Sequence, residues 1–384
     1  MFNIGNRFFI TFIAFALAIS PSVLFAQDSD AVSDLDNFIH YSLIANVEYA
    51  EGNAMKLIRN KMSDEDFYKM VTETRERHER FDRAIGWAMY VTDLEPLAAE
   101  LETRFEMGRT SLIRNAARLK ESISLLNGTV RQRILAEERL EEAGEYAVPL
   151  LLESLQNSSD AQTARRVRDM LTQIGRDAVV PLSVALPHLD NNSKLVVIKT
   201  LGDIRYPHSA PAIVSVFQDE NEPPAVKKAA SQALARIGVD ETINLSDLLT
   251  VVANQYFDGI DSVIISPVGD LNLHWYWHPQ NNLDMLDVPQ EIYGDVMAMT
   301  HASNALSINP KNEIAIGLFM AANLRRDRKL AGKNDLVHGD LPYSPAFYAT
   351  VFGPHVAQMV LDRALALEDT ALALEAITAL SETA

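Results

Sequence analysis

Residues 143–155 read AGEYAVPLLLESL, residues 174–186 IGRDAVVPLSVAL and residues 201–217 LGDIRYPHSAPAIVSVF. Each stretch carries a glycine (Gly144, Gly175, Gly202) five to nine residues ahead of a proline (Pro149, Pro181, Pro211), and the prolines are 32 and 30 residues apart. Glycine just past a helix end takes a left-handed conformation that other residues resist, and proline in a first turn gives up an N–H that has no partner there. Each stretch therefore reads as the end of one helix and the start of the next. A fixed period of this length marks a chain built from stacked helix pairs.

The segments between these markers keep the helical period. Val167, Met170, Leu171 and Ile174 fall on one face, as do Val226, Ala229, Ala230, Ala233, Leu234 and Ile237 ahead of Gly238. Around the prolines lie Val148, Leu151, Leu152 and Leu155, then Leu182, Ala185 and Leu186, then Ile213, Val214 and Phe217. One such pair cannot bury its stripe unaided, whereas neighbours stacked at one repeat length close a continuous core.

On these residues the chain resembles HEAT repeats. The second half of that repeat is matched by Leu140, Gly144, Ala147, Val148, Pro149 and Leu151, and again by Leu171, Ile174, Gly175, Ala178, Val179 and Pro181. Its first half is matched by Val226, Lys227, Ala230, Ala233, Leu234, Ile237 and Gly238. The resemblance covers residues 129–240 and implies a fold rather than an activity, because the matching positions pack and cap. It implies an all-α chain, a right-handed α-solenoid of HEAT-like helix pairs with one inserted β-hairpin.

Residues 27–128 read as an N-terminal helical cap of two or three helices, with Leu112, Ala116, Leu119, Ile123 and Leu126 as one long stripe. Residues 241–288 read as a linker holding the hairpin, and residues 289–384 as further helices. There, Ala302, Ala305, Leu306, Ile308, Pro310, Asn312 and Ala315 resemble a tetratricopeptide junction, and Pro354 to Leu380 resembles another HEAT pair. The final helix keeps an apolar stripe with little polar covering, which points either to homo-oligomer contact through it or to a sequence that continues in relatives.

Residues 1–26, with Arg7 followed by the apolar run Phe8–Ile19 and the small Ala26 before Gln27, read as a secretory signal peptide. Export to a periplasm or the extracellular space is the expectation. Removing them moves the net charge from −18 to −19, a field that repels phosphate backbones and argues against nucleic acid. No later segment has the roughly 20 apolar residues of a membrane span. There is no cysteine, so packing must supply the stability.

Chemistry is sparse. His78 to Asp82 places Asp82 where a helical zinc motif needs its second histidine. Glu137, Glu138, Glu141, Glu142 and Glu145 read as a charged outer face, and Ala331–Asp335 lacks the first glycine and the hydroxyl residue of a phosphate loop. His188, His208, His338 and His355 sit beside Pro or Gly in corners, and His301 reads as packed or exposed.

Residues 271–280, LNLHWYWHPQ, break the helical pattern. Leu271, Leu273, Trp275 and Trp277 alternate with Asn272, His274, Tyr276 and His278, the period of a half-buried strand. Asp261–Ser266 and the turn Pro267–Asp270 read as its hairpin partner, with the odd residues inward and the histidines on the wet side. Two histidines four apart on a strand lie about 13 Å apart, too far to share zinc. No metal, cofactor or catalytic residue is expected; His274, Tyr276 and His278 are candidates to touch a protein partner. The reading is a non-catalytic exported scaffold. A self-assembling envelope protein is the alternative, with a HEAT-like lyase or metal-dependent enzyme behind it.

Overall fold

A computed structural model describes residues 21–158, 160–260, 271–330, 335–339, 347 and 351–383. Among the described residues the fold is all-α with one small two-stranded sheet. It divides into two compact units, Met1–Ser111 and Leu112–Ala384.

The first unit holds α1 (Pro21–Leu43), α2 (Val47–Arg59), α3 (Asp64–Val71), α4 (Arg75–Ala88) and most of α5 (Glu95–Ile113). Asn46, Ser63 and Thr74 start α2, α3 and α4 by accepting backbone N–H groups that have no partner within the helix. The core gathers Leu35, Phe38, Leu57, Phe67, Phe81 and Phe105. Arg104 fastens three elements: Nε donates to Asp64 Oδ1 at 2.8 Å, and its two terminal nitrogens donate to the carbonyls of Leu57 (2.8 Å) and Met62 (2.7 Å). Gly108 lets α5 approach α3 so closely that a Cβ there would lie 2.0 Å from the Asp64 carbonyl oxygen.

The second unit begins where the expected long stripe is cut. Asn115 ends the α5 segment and caps α6 (Ala116–Leu125), which leaves Ala116 exposed while Leu119 and Leu126 join the second unit's core. The sequence boundary after Gly128 therefore falls inside this unit, and the segment 27–128 holds more helices than two or three. Then follow α7 (Val130–Ala143), α8 (Val148–Asn157), α9 (Ala161–Ile174), α10 (Val179–Ala185), α11 (Asn191–Ile204), α12 (Ala210–Gln218), α13 (Pro224–Ile237) and α14 (Leu245–Phe257). Contacts sort these helices into two rows. In one row α7, α9, α11 and α13 touch in succession; in the other, α6, α8, α10, α12 and α14 do. Every stripe residue named for α8, α9 and α10 is buried, and one apolar cluster runs from Ile113 to Leu234.

Gly144 and Gly175 end α7 and α9 at φ 54° and 69°, as expected of glycine there. Gly202 does not end a helix. It sits inside α11, where a Cβ would come within 2.9 Å of Ala233 Cβ, so this glycine lets α11 and α13 pack closely. The end of α11 is made by Arg205, itself left-handed at φ 58°.

The expected linker contains α14, which makes the most extensive helix contact of the unit with α15 (Gln290–Ile308). Next come α16 (Glu313–Leu330), α17 (Pro354–Ala366) and α18 (Thr370–Thr383), with Pro354 opening α17 as expected. Asn312 ties three helices in the interior. Its Nδ2 donates to Ser246 Oγ (2.9 Å) and Thr250 Oγ1 (3.0 Å), and Ser246 Oγ donates to the Ala305 carbonyl at 2.9 Å.

The sheet pairs β1 (Leu271–His278) antiparallel with β2 (Asn282–Pro289), from Leu271 opposite Pro289 to His278 opposite Asn282. The partner strand thus follows β1 rather than preceding it, and the expected partner, 261–266, and turn, 267–270, lie outside the described residues. The signal in 282–289 is masked by Asp284 and Asp287, which lie on opposite faces of the strand, the first half-buried and the second exposed. The expected leader also lies largely outside the described residues, as do residues 331–334 of the phosphate-loop lookalike. No described helix is long and apolar enough to cross a membrane.

Candidate functional site: a cleft beneath the hairpin

β1 is covered on both sides. Leu273 and Trp275 are each 3% exposed and belong to the cluster of the helix rows. On the other face Asn272 is 5% and His274 7% exposed, so His274 is an interior residue and not on the wet side, as the alternation had suggested. The strand lies against α10 and α15, and a strand with protein on both faces loses its inside–outside alternation. Tyr276 and His278 are half-buried, and Leu271 is exposed.

His278 stabilises the hairpin loop. Its Nδ1 accepts from the backbone N–H groups of Gln280 (3.2 Å) and Asn281 (3.1 Å), which places the ring proton on Nε2. Asn281 Nδ2 donates to Asp284 Oδ2 at 3.1 Å, and Asn282, at φ 63°, supplies the left-handed residue that a short hairpin loop needs.

Trp275 reaches down to a carboxyl group. Its Nε1–H donates to Glu145 Oε2 at 2.6 Å, across 130 residues of chain. Glu145 therefore leaves the charged outer face on which its neighbours Glu138, Glu141 and Glu142 remain exposed. The left-handed turn at Gly144 redirects the chain there. Burial pushes the Glu145 carboxyl up to about 7, opposed by the Trp275 hydrogen bond, reinforced by Asp177 and opposed by Arg114. Asp177, from the equivalent turn after Gly175, is also raised by burial. Beside them Arg114 lies over the Tyr146 ring and hydrogen-bonds its hydroxyl.

Between β1 and α10, α12, α14 and α15 lies a cleft of about 640 Å³. It brings together His188, His208, His274 and His301, four histidines distributed over 114 residues of sequence. Each meets a ring. His188 stacks on Trp277 (centroids 4.6 Å apart, 10° between planes), His301 stacks on Tyr256 (5.4 Å, 11°), and His208 stacks on Tyr206 (4.9 Å, 27°). Tyr276 meets His278 edge-on at the rim. Burial pushes His208, His274 and His301 down to about 4, and lowers His188 as well. For His274 the neighbouring His338 adds to the effect and Asp335 opposes it; for His301 both His208 and His274 add to it. These rings are accordingly neutral at pH 7.

The corner histidines were read as turn residues, and two of them, His188 and His208, line this cleft instead. His338 has an interior role, its Nε2 at 3.1 Å from the Val296 carbonyl and 3.3 Å from Thr300 Oγ1. His355 remains exposed beside Glu313 at 3.3 Å. His78 faces solvent with Asp82 3.6 Å away, in keeping with a solvated helix face. Among the described residues no group of three or more His, Asp or Glu side chains is placed to hold a metal ion.

No protein-family model matches the sequence, and none of the curated proteins matches it.

Proposed function

We propose that the chain is a non-catalytic binding scaffold: a right-handed α-solenoid of HEAT-like helix pairs that holds protein partners on its surface, exported by the leader read in residues 1–26. The observation that carries this reading is the pair of helix rows. Helices α6 to α14 alternate between two rows, and each helix touches its counterpart in the preceding and following pair. Such stacking gives a platform that is rigid along its length and whose outward positions are free to vary with a partner. The hairpin adds a local feature to that platform, with Tyr276 half-buried at its rim.

Immobilised full-length chain, offered the envelope fraction of the producing cell, tests it. A partner retained by the wild type and lost from the Tyr276→Ala variant supports the reading; equal retention moves the partner elsewhere on the surface, and no retained protein at all overturns it. A self-assembling envelope protein is the second reading, favoured by Leu365 (63% exposed), Leu374 (60%) and Ile377 (49%) on α17 and α18. Light scattering decides between the two: a monomer at every concentration removes self-assembly, and an oligomer dispersed by Leu374→Glu supports it.

A further inference from the structure

The cleft beneath β1 has a chemistry that the scaffold reading does not use. We infer that it is a binding site for a small, uncharged, planar organic molecule that carries at least one hydrogen-bonding group, such as a phenol or a neutral heteroaromatic ring. This goes beyond the scaffold proposal and does not depend on it.

Three observations on the lining argue for this ligand class. The first is charge. Among the described residues that line the cleft none is Asp, Glu, Lys or Arg, in a chain in which 22% of residues are charged. Its titratable members, His188, His208, His274 and His301, are held neutral by burial, and Tyr256 is held in its protonated form by burial as well. An ion entering such a space gives up part of its water and meets no charged side chain among the described lining residues, so an uncharged ligand is favoured over an ion.

The second is shape. Trp275, Trp277, Tyr276 and Tyr256 line the cleft together with the imidazoles, and two stacked ring pairs, His188 with Trp277 and His301 with Tyr256, belong to it. Ring faces of this kind are best covered by another flat ring. A volume of about 640 Å³ lies within the range of small-molecule sites rather than that of a single trapped water.

The third is unspent hydrogen-bonding capacity. Nδ1 of His274, Nδ1 of His301 and Oγ of Ser183 are buried and have no hydrogen-bond partner among the described residues. A buried polar atom left in that state is costly, and a ligand group that reaches it recovers the loss. Neutral imidazoles and a hydroxyl can each donate or accept, so they complement a ligand hydroxyl or ring nitrogen without demanding a charge on it.

The chain carries three tryptophans, Trp87 in the first unit and Trp275 and Trp277 in β1. Full-length protein labelled with 5-fluorotryptophan therefore offers two fluorine resonances that report the cleft and one that serves as an internal reference. Four probes are titrated: naphthalen-2-ol, naphthalene-2-carboxylate, naphthalen-2-ylmethylammonium and the saturated decahydronaphthalen-2-ol. The expected result is a saturable shift of the Trp275 and Trp277 signals with naphthalen-2-ol, an unmoved Trp87 signal, and at least tenfold weaker binding of the other three.

A second comparison isolates the polar groups. His274→Phe keeps a flat ring in place and removes Nδ1, so naphthalen-2-ol weakens several-fold while naphthalene itself is unaffected; unchanged dispersion of the three resonances verifies that the variant is folded. Equal binding of the two ionised probes overturns the inference, and so does the absence of any saturable shift of the β1 signals up to the solubility limit. Tighter binding of a peptide with a central tryptophan than of naphthalen-2-ol overturns it too, because the cleft would then receive a partner's side chain. None of these outcomes alters the capture experiment on the outer surface, which fails or succeeds separately.

Discussion

The second unit has two concavities of similar size and opposite construction. The groove between α7 and α9, of about 760 Å³, is lined by Arg133, Glu137, Arg165, Arg166 and Asp169, whereas among the described residues the cleft beneath β1 has no charged side chain. In the groove the charges answer one another. Arg133 faces Glu137 at 3.6 Å, Arg165 faces Asp169 at 3.8 Å, and Arg166 donates to the Leu126 carbonyl. All of this occurs on a wet surface, where such pairs contribute little and leave no demand unmet. In the cleft the polar atoms belong to uncharged side chains, and some of them are buried with no partner among the described residues. Size therefore does not distinguish a site from a surface furrow; the state of the polar groups does.

The largest way to break this contrast is to remove the hairpin's anchor. Trp275→Ala deletes a buried indole and leaves Glu145 without its donor, and it is expected to cost about 3–5 kcal/mol in urea unfolding of the second unit. A loss under about 1 kcal/mol would show that β1 rests on the helices without being part of their core.

The next effect is smaller and depends on pH. Burial raises the Glu145 carboxyl to about 7 from its ordinary 4.5, so the folded chain binds more protons than the unfolded one between those values. Its contribution is present below the unfolded pKa and is lost as pH rises through about 7. Glu145→Gln removes a buried negative charge at alkaline pH while keeping an oxygen for the Trp275 N–H. It is expected to stabilise the unit by roughly 1–3 kcal/mol at about pH 8 and to approach the wild type near about pH 4. An equal effect at both pH values would refute the assignment.

The histidines act in the opposite sense. His208, His274 and His301 titrate at about 4 when folded against an ordinary 6.5, so the unfolded chain binds more protons between these values. Stability is expected to fall as pH drops from about 6.5 toward 4, with the β1 tryptophan signals moving before that of Trp87. The smallest effect belongs to the groove: Arg165→Ala is expected to leave the unfolding midpoint unchanged within measurement error, because its side chain is 78% exposed.

How much of this was legible depended on whether burial followed a period. The stripes of α8, α9 and α10 face a core on one side and solvent on the other, so the 3.6-residue spacing exposed them directly. Gly202 has the same spacing to its proline as a capping glycine could have, and only the proximity of Ala233, 31 residues away, shows that it serves packing. Arg114–Asn115 interrupts an apolar stripe that continues in sequence but not in space. Residues 245–257 lie within the expected linker, yet they form α14, whose Leu249, Val252, Ala253 and Tyr256 pack against α15, 33 or more residues further along the chain. For the cleft, β1 is legible as a strand and Trp275 as core, whereas Trp277 is only partly buried, Leu271 is exposed and His274 is interior. A strand buried on both faces offers no alternation to read, and His188, His208 and His301 come to it from three separate helical segments. The one signal available was four uncharged, hydrogen-bonding rings in an otherwise acidic chain.

The hairpin itself is local: strand, loop and strand occupy residues 271–289, and such an element forms in microseconds. Its anchoring bond is remote, because the Trp275–Glu145 contact closes a loop of 130 residues that includes α8 to α14. Ordering that much chain has to precede the bond, so docking of the roof belongs to the late side of the folding barrier. Substitution at Trp275 then accelerates unfolding and leaves refolding nearly unchanged. Unfolding and refolding rates of the Trp275→Ala protein check this order: a slowed refolding would place the roof in the folding nucleus instead.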